Sequence, residues 1–416
     1  MMKRLWPFTA RGTGALLLAV ACFVVANEIG VVELLYFGVL LLGILVACLI
    51  SLHVVRRTDR IARSLSPDVG TVGRPSTVVA RVGVRSPFPT APGTWEDTLP
   101  KGVTGLAQGI FPAVGSGLAG VDKLVELEYT ITGARRGIHS LGPLVVTSTD
   151  PFGLTRRRTV FTERTSVTMA PAIIELSALA NLLGDAGGTL HTQNNQLGQG
   201  ADNLVARPYV PGDSMRRIHW RASAHRGELM VRQEEQESTP DAVVVLDRGV
   251  LRYTSDAMAA TGTDPGFESA VSVAISVITR LVHDGYAVDV IDSDGTALTE
   301  RIDGGDMTAV EDVRTFFATI TARKDDHLQR LPKIFQGVMT GPVVLVVGRF
   351  DTQDADAVAA VVHHSSLPIL FAVAPSREST ERALDVGWHV ARIDPDADIA
   401  GAWAGVVERG VSRALR

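Results

Sequence analysis

Residues 12–52 read GTGALLLAVACFVVANEIGVVELLYFGVLLLGILVACLISL, and this stretch decides how the chain begins to fold. Residues 12–26 are apolar and uncharged, and residues 31–52 are apolar except for Glu33. A helix that crosses a membrane needs about 20 apolar residues, each adding about 1.5 Å of rise. The stretch therefore predicts a hairpin of two transmembrane helices with a tight turn near residues 27–28.

Basic residues flank both outer ends of the predicted hairpin, whereas its turn carries only acidic charge. Those before it are Lys3, Arg4 and Arg11, and those after it are Arg56, Arg57, Arg60 and Arg63. The positive-inside rule predicts a multi-pass protein of the cell membrane with both termini and the bulk of the chain in the cytoplasm. The alternative, a secretory signal peptide, lacks a convincing small-residue cleavage site before the second apolar run.

Length and composition limit what the rest of the chain does. At 416 residues it is too long for one compact core, so we expect two or three domains. The formal net charge of -5 and a pI near 6.1 argue against binding to nucleic acid, which favours a basic surface. Both cysteines, Cys22 and Cys48, lie inside the apolar stretch, so the remainder has no disulfide, thiol nucleophile or cysteine metal ligand.

Residues 61–176 show the period-two alternation of β-strands. The clearest runs are TVVARVGVR at residues 77–85 and LVELEYTIT at residues 124–132, with many prolines and glycines between them. This pattern predicts a small antiparallel β-sandwich. The glycines at 115, 117 and 120 spell GxGxxG, but a strand pattern follows where a dinucleotide site needs a helix, so we interpret them as a loop.

Residues 177–240 contain the run RPYVPGDSMRRIHWRASA, which covers residues 207–224. Proline followed by glycine at 211–212 predicts a turn, and Asp213 is placed to accept hydrogen bonds there. The run is locally basic within an acidic protein. Its candidate binding or interaction residues are Arg207, Tyr209, Gly212, Asp213, Arg216, Arg217, His219, Trp220, Arg221 and Ser223.

This run has two interpretations that do not exclude each other. In the first, Trp220 and Tyr209 anchor the segment to the next domain, and its arginines pair with Glu234, Glu235 and Glu237. Removing the buried indole would then cost about 3–5 kcal/mol of stability. In the second, the arginines and Trp220 form a recognition surface for an anionic or protein partner. A catalytic triad of Ser223, His219 and Asp213 is disfavoured because no oxyanion hole or nucleophile elbow accompanies it.

Residues 241–416 alternate between strand and helix patterns, which predicts a doubly wound α/β sheet. The predicted strands are 243–246, 287–291, 342–347 and 369–373, with 388–393 closing the sheet. The predicted helices are 267–282, opened by Asp264-Pro265, then 310–320, one from Asp354, and one from about Ser376 that ends at Gly387. The adjacent pair His363-His364 is interpreted as surface residues.

Two groups of residues resemble the domain-of-unknown-function 58 family. The first reads RG at 136–137, LGP at 141–143 and DPFGL at 150–154. The second is similar to the pattern R-x-Y-x-x-G-D-x-x-R-x-I-x-W-x-x-S-A, matched at every position by residues 207–224. The resemblance covers almost the whole chain. It implies a von Willebrand factor A-like domain after residue 240, and a partner of the MoxR-type AAA ATPase class.

The resemblance also implies a metal site, which this sequence does not preserve. Von Willebrand factor A domains supply an aspartate and two serine hydroxyls, spaced DxSxS, to a divalent cation that prefers oxygen ligands. Residues 247–251 keep only Asp247, because Gly249 and Leu251 replace both hydroxyls, and Arg349 stands where a later acid is expected. We expect a degenerate metal position at Asp247, with no metal and no cofactor.

The expected organisation is a transmembrane hairpin with basic flanks (1–60), a β-rich sandwich-like domain (61–176), a signature segment (177–240) and a von Willebrand factor A-like domain (241–416). The predicted function is that of a non-catalytic, membrane-anchored scaffold or adaptor, not that of an enzyme. The partner that the resemblance implies is the ATPase class named above. The alternative is a ligand-binding protein or enzyme that acts on an anionic or phosphate-bearing substrate through residues 207–223.

Overall fold

The computed structural model describes residues 6–54, 56–85, 90–115, 123–179, 204–209, 215, 218–234, 240–324, 327–395 and 398–414. The chain divides into two compact units. The first contains Met1–Ile173, Tyr253–Ile275 and Glu311–Asp325, and the second contains Ile174–Arg252, Ser276–Val310 and Asp326–Arg416.

The first unit begins with the two predicted apolar helices, α1 (Ala10–Ile29) and α2 (Val32–Val54). The turn between them differs from the prediction. Asn27 and Glu28 belong to the last turn of α1, and the chain reverses at Gly30, whose φ of 75° is left-handed and whose N–H donates to Ala26 O. Glycine adopts this conformation without steric cost, so it ends the helix in preference to the polar pair before it.

Small residues let α1 and α2 pack closely. Ala19, Cys22 and Ala26 are buried on α1, and a side chain added at Gly38 of α2 would meet the Phe23 ring and the Ala19 carbonyl. The other faces of both helices are exposed and apolar. Both are long and apolar enough to cross a membrane, as is the helix Pro265–His283. In the most apolar 18-residue stretch of each helix, 67% of that third helix is buried inside the protein, against 22% for α1 and 17% for α2. The third helix is therefore a core helix.

The strands of the first unit form mainly antiparallel sheets. They are β1 (Arg56–Ser66), β2 (Val69–Thr71), β3 (Pro75–Arg85), β4 (Gly93–Asp97), β5 (Val103–Gly105), β6 (Gln108–Phe111), β7 (Lys123–Gly133), β8 (Gly137–Leu141), β9 (Leu144–Thr149), β10 (Arg156–Phe161) and β11 (Thr165–Ala170). Within the described residues the strand orders are β1-β3-β7-β5, β10-β9-β4-β6 and β2-β11-β8, with only β2 and β11 parallel.

Both strand predictions for this region are confirmed. Residues 77–85 and 124–132 lie in β3 and β7, which pair antiparallel. Their alternate residues, such as Val78 and Ile131, are fully buried and form one core with Leu144 and Phe161. Residues 116–120 of the glycine-rich run lie outside the described residues.

A polar network lies inside this core. The Arg63 guanidinium makes a bidentate ion pair with Asp97, at 2.9 Å from Nε to Oδ2 and 3.1 Å from Nη2 to Oδ1, and both side chains are buried. The Tyr129 hydroxyl donates to Asp97 Oδ2 at 2.8 Å. Asp97 is thereby satisfied by a charged and a neutral donor, as a buried carboxylate requires.

Alkaline pH should destabilise the first unit through Tyr129. Burial raises the pKa of Tyr129 above its ordinary value, and the negative charge of Asp97 raises the pKa further. A group with a raised folded pKa contributes its full stability below the unfolded pKa, about 10 for tyrosine, and that stability is lost as the pH rises. We expect the free energy of urea unfolding to fall between pH 9.5 and 11 (roughly the window set by that value) and to fall less in Tyr129→Phe. Equal losses in the two proteins would contradict this assignment.

The second unit contains a strand pair and a parallel sheet. The pair is β12 (Leu204–Pro208) and β13 (Met230–Glu234), with α3 (Trp220–Arg226) between them. The sheet strands are β14 (Asp241–Leu246), β15 (Ala287–Asp292), β16 (Thr340–Phe350), β17 (Ser365–Pro375) and β18 (His389–Arg392). Their order is β15-β14-β16-β17-β18, and every pairing is parallel.

The predicted alternation of strands and helices is confirmed, with shifted bounds. The helices of this part of the chain are α4 (Asp256–Ala259), α5 (Pro265–His283), α6 (Met307–Phe317), α7 (Leu331–Ile334), α8 (Thr352–Val358), α9 (Arg377–Val386) and α10 (Ile399–Ala414), with short 3-10 turns at Val250–Arg252, Leu328–Arg330 and Ala359–His364. As predicted, Asp264 accepts from Phe267 N at the start of α5, and Gly387 ends α9.

Two parts of this region differ from the prediction. Strand β16 continues through residues 348–350, beyond the predicted strand 342–347, because it pairs with β17 as far as Phe350. Helix α10 was not predicted, although Trp403, Val406 and Val407 are fully buried along one side of it.

Candidate functional site

The signature segment folds as an antiparallel strand pair that encloses a short helix. In this pair Arg207 lies opposite Val231. Helix α3 begins after His219, whose Nδ1 accepts from Ala222 N at 3.1 Å, and ends at Gly227, which is left-handed. The His219 N–H donates to Met230 O at 2.7 Å, which ties the start of α3 to β13.

The structure describes some of the predicted interaction residues. Tyr209, His219, Trp220, Arg221 and Ser223 are described, and the backbone of Arg207 belongs to β12. The predicted turn at 211–212, together with Gly212, Asp213, Arg216 and Arg217, lies outside the described residues.

Ser223 holds α3 onto β13. Its Oγ donates to His219 O at 3.1 Å and accepts from Met230 N at 2.8 Å. The imidazole of His219 is used at Nδ1 by the helix cap, so the described contacts of both side chains are with backbone groups.

Trp220 is exposed, and the interpretation of its indole as a buried anchor is wrong. The residue is 69% exposed, and α3 buries none of its residues. The small core of the segment is filled instead by Ile218, Met230 and Val231. Trp220 is the first residue of α3 and is not one of these buried residues. Tyr209 is half-buried and is held by its N–H, which donates to Leu229 O at 2.8 Å.

An open cavity of about 540 Å³ lies along α3. It is lined by His219, Arg221, Ala222, Ala224 and His225. A guanidinium and two imidazoles offer hydrogen-bond donors to an anion, and the arginine is permanently charged. The described residues that line the cavity include no acidic side chain, so this lining is cationic in character.

A second polar cluster lies at the carboxyl ends of the parallel strands. Asp247 follows β14, Asp292 ends β15 and Asp354 lies in α8 after β16, and all three are buried. The topological switch point lies between β14 and β16, because β15 is added on one side of β14 and β16 on the other. Doubly wound sheets bind their ligands at that point.

Arg252 fills this position. Its Nε lies 2.7 Å from Asp247 Oδ2, and its Nη2 donates to Asp354 Oδ1 at 2.8 Å, while Nη1 donates to Asp354 Oδ2 and to Arg349 O. The Ser293 hydroxyl donates to Asp247 Oδ1 at 3.0 Å. Arg248 lies 3.7 Å from Asp292. The guanidinium thus neutralises the carboxylates that face one another at the switch point.

These residues do not fit a divalent cation. A cation at Asp247 would share its carboxylate with a buried guanidinium, and the two positive charges would repel each other strongly in this environment. In the part of the chain that the structure describes, no group of three or more His, Cys, Asp or Glu residues is arranged to hold a metal ion.

The first motif of the sequence analysis is structural. Arg136 is fully buried in the first unit, where its Nε lies 2.6 Å from Glu268 Oε2 and its Nη1 donates to Phe317 O. The guanidinium also lies 5.4 Å from the centre of the Phe267 ring, within cation–π distance. The side chain therefore joins β8 to α5 and to the end of α6.

Two comparisons of the sequence with known proteins find a match to this chain. A model of the family described as "Protein of unknown function DUF58" matches residues 205–294. "Uncharacterized protein YeaD" of Bacillus subtilis (strain 168) is 23% identical over 290 residues, which are 68% of this chain and 69% of YeaD. Residues 205–294 of this chain therefore match the DUF58 family.

Solved structures show only a weak likeness to this chain. The ASH / PapD-like domain of human CEP192 (PapD-like domain 7) is 10% identical and covers 28% of this chain and 88% of its own, with a TM-score of 0.15. Cwp6 from Clostridium difficile is 8% identical and covers 85% of this chain and 61% of its own, with a TM-score of 0.14. Likeness at this level carries no argument about fold or function.

The DUF58 match contains the α3 segment and most of the second cluster, but not Asp354. It begins in β12, spans α3 and β13, and ends after β15, so it includes Trp220, Asp247, Arg252 and Asp292. The sequence patterns point to Trp220 and Asp247 but not to Arg252. The available signal was an arginine five residues after Asp247, in a stretch where the expected metal ligands were absent.

Proposed function

We propose that this chain is a non-catalytic, membrane-anchored scaffold whose signature segment binds a protein partner through α3. The exposure of Trp220 carries the proposal. A large indole on a helix with no buried residue contributes nothing to a core, whereas exposed tryptophan and arginine side chains are the commonest anchors of protein interfaces. Arg221 and Arg226 lie on the same helix and are exposed, which favours an acidic surface on the partner.

Membrane anchoring and orientation are part of the proposal. The exposed apolar faces of α1 and α2 support insertion as a two-span hairpin. The basic residues outside both ends support a cytoplasmic location for the termini and the bulk of the chain. Reporter fusions after Arg63 and at the C-terminus should both give a cytoplasmic signal, and a signal from the other side of the membrane at either point would contradict this topology.

The proposed partner class is a MoxR-type AAA ATPase, which rests on the family resemblance alone. We further propose that the parallel sheet is a von Willebrand factor A-like domain with a degenerate metal position. Its support is the strand order, the place of Asp247 after β14, and Arg252 on that carboxylate. In this proposal the domain binds its partner without a bridging cation.

Trp220→Ala should remove partner binding and leave stability unchanged. The indole is exposed, and a surface substitution away from packed groups changes stability by about 0.5 kcal/mol or less. An interface anchor, in contrast, costs about 2 kcal/mol or more in binding, which is a loss of roughly 30-fold in affinity. The measurement is quantitative capture of the partner from detergent-solubilised membranes with and without ATP, together with the melting temperature.

Leu251→Ala is the matched control for this experiment. Leu251 is also 69% exposed, but it lies in the turn after β14 and not on α3. Capture should survive in this variant. Loss of capture in both variants, or in neither, would contradict docking through α3.

The alternative function is supported by the cationic cavity along α3. A ligand-binding protein or enzyme for a phosphate-bearing substrate would use Arg221 and the two histidines there. Calorimetric titration with pyrophosphate separates the two proposals. Saturable binding that Arg221→Met abolishes would favour the alternative, and its absence together with capture of a protein favours the scaffold.

A further inference from the structure

The turn 150–154, which links β9 to β10, is fixed to the start of the hairpin. The Thr9 N–H donates to Leu154 O at 2.9 Å, and the Thr9 hydroxyl donates to Gly153 O at 2.6 Å. Gly12 lies directly against the Leu154 carbonyl, where a side chain would collide with it. The Arg156 N–H donates to Pro7 O at 2.8 Å. The first turn of α1 and the turn 150–154 are therefore one packed structure.

The turn 150–154 and the strand β10 that follows it are also fixed to the end of α2. Arg157 Nη1 donates to Leu52 O at 2.7 Å, and the Cys48 thiol is hydrogen-bonded to Asp150. Burial acts to raise the pKa of Asp150, but hydrogen bonds from Thr155 and from Phe152 N outweigh it and hold the pKa below its ordinary value. The turn is held by α1 and α2 together, so its distance from the membrane follows from theirs.

The lengths of the helices place this turn in the headgroup layer. At 1.5 Å per residue, the 20 residues of α1 span about 30 Å, which equals the thickness of the hydrocarbon core. Thr9, the residue that caps α1, then lies at the hydrocarbon boundary. Leu154 lies at the same level, because its carbonyl accepts from the Thr9 N–H. Phe152 is two residues from Leu154, so the Cα of Phe152 lies within about 7 Å of this boundary. The headgroup layer on each side is about 5–8 Å thick.

The exposed side chains around this turn have the chemistry of a membrane interface. Phe152 is 69% exposed, and Trp6, in the segment that precedes α1, is exposed as well. Arg11, Arg156 and Arg158 are exposed as well. Aromatic side chains concentrate at the headgroup level, and exposed arginines there attract acidic lipid phosphates.

We propose that the turn 150–154 is a second membrane contact, in which Phe152 inserts into the headgroup region of the bilayer that holds the hairpin. Arg11, Arg156 and Arg158 bind lipid phosphates around it. This inference rests on the proposed membrane anchoring of α1 and α2. Its consequence is that the β-rich part of the first unit lies directly on the membrane in one orientation, held at the hairpin and at Phe152.

Spin labels on single cysteines test the contact in the full chain. The background carries Cys22→Ala and Cys48→Ser, the second of which keeps a hydrogen-bonding side chain next to Asp150. Labels are attached at Phe152→Cys and at Ile138→Cys, a residue of similar exposure at 60%. Strand β7 runs in the same direction as β1, away from the transmembrane hairpin, and its 11 residues span about 36 Å. Ile138 lies five residues beyond the far end of β7. A third label at Leu40→Cys, on the exposed face of α2, reports insertion of the hairpin itself.

Collision rates with oxygen and with a water-soluble nickel chelate are measured in vesicles of phosphatidylcholine with phosphatidylglycerol. The label at 152 should collide with the nickel chelate several-fold less often than the label at 138, and the label at 40 least of all. If the label at 152 collides with the chelate as often as the label at 138, while the label at 40 is protected, the helical hairpin is inserted but the proposed second contact is wrong. If 40 is also open to the chelate, the membrane anchoring itself is wrong, and this inference falls with it.

Discussion

Replacing Arg252 with methionine should lower the free energy of unfolding of the second unit by about 3–5 kcal/mol. The guanidinium is buried between Asp247 and Asp354 and contacts both. Methionine has a similar length but no charge, so two buried carboxylates would face each other without a counter-ion. Opening the sheet and hydrating these charges then becomes much less costly.

Amide hydrogen exchange in β14 and β16 of the detergent-solubilised chain measures this effect. A loss of 3–5 kcal/mol corresponds to protection factors lower by about two to four orders of magnitude. Arg301→Met is the matched control, because Arg301 pairs with Asp241 and Asp289 at the surface, where such pairs contribute about 0–1 kcal/mol. Adding Mg²⁺ to the wild-type chain should leave protection unchanged.

The triple variant Arg252→Met, Asp247→Asn, Asp354→Asn should recover part of the loss, because a neutral buried cluster costs less than an uncompensated charged one. Unchanged protection in the single variant would show that the two carboxylates do not depend on Arg252. Protection that Mg²⁺ raises in the wild type would show that this cluster does bind a divalent cation.

Arg136→Met should be the second most disruptive change, at about 3 kcal/mol. It leaves the Phe317 carbonyl without its buried donor and removes the partner of Glu268. Glu268 is partly exposed and keeps the Gly262 N–H as a donor, so water can compensate some of the cost. The expected loss is therefore at the lower end of the range for a broken buried pair.

Arg135→Met provides the control for this change on the neighbouring residue, which is exposed. Exchange in β8 and in the first half of α5 should accelerate by about two orders of magnitude in Arg136→Met and stay near wild type in Arg135→Met. Similar behaviour of the two variants would refute the assignment of Arg136 as the link between β8, α5 and α6.

The sequence predicts the elements whose signal is a local period. The apolar run of α1 and α2, the alternation in β3 and β7, and the cap of α5 by Asp264 all depend on residues close together in the chain, and all were recovered. The polar pair at 27–28 predicts the turn of the hairpin too early, because the conformational freedom of Gly30 decides where α1 ends. Helix α10 was missed although its apolar spacing was present.

The site was harder to predict because its contacts are distant in sequence. Arg252 contacts Asp354, which lies 102 residues further along, and no local pattern reports such a pair. Trp220 illustrates the opposite problem. Tryptophan is usually well buried, so composition favoured an anchor, whereas Ile218, Met230 and Val231 already fill the small core of the segment.

Photocrosslinking from position 220 tests the scaffold proposal most directly. A benzoylphenylalanine introduced in place of Trp220 is irradiated in native membranes, with the same group in place of Leu251 as the control. We expect one protein adduct from position 220, reduced by ATP depletion and absent from position 251. No protein adduct from 220, or the same adducts from both positions, would contradict the claim that α3 is the docking surface of this protein.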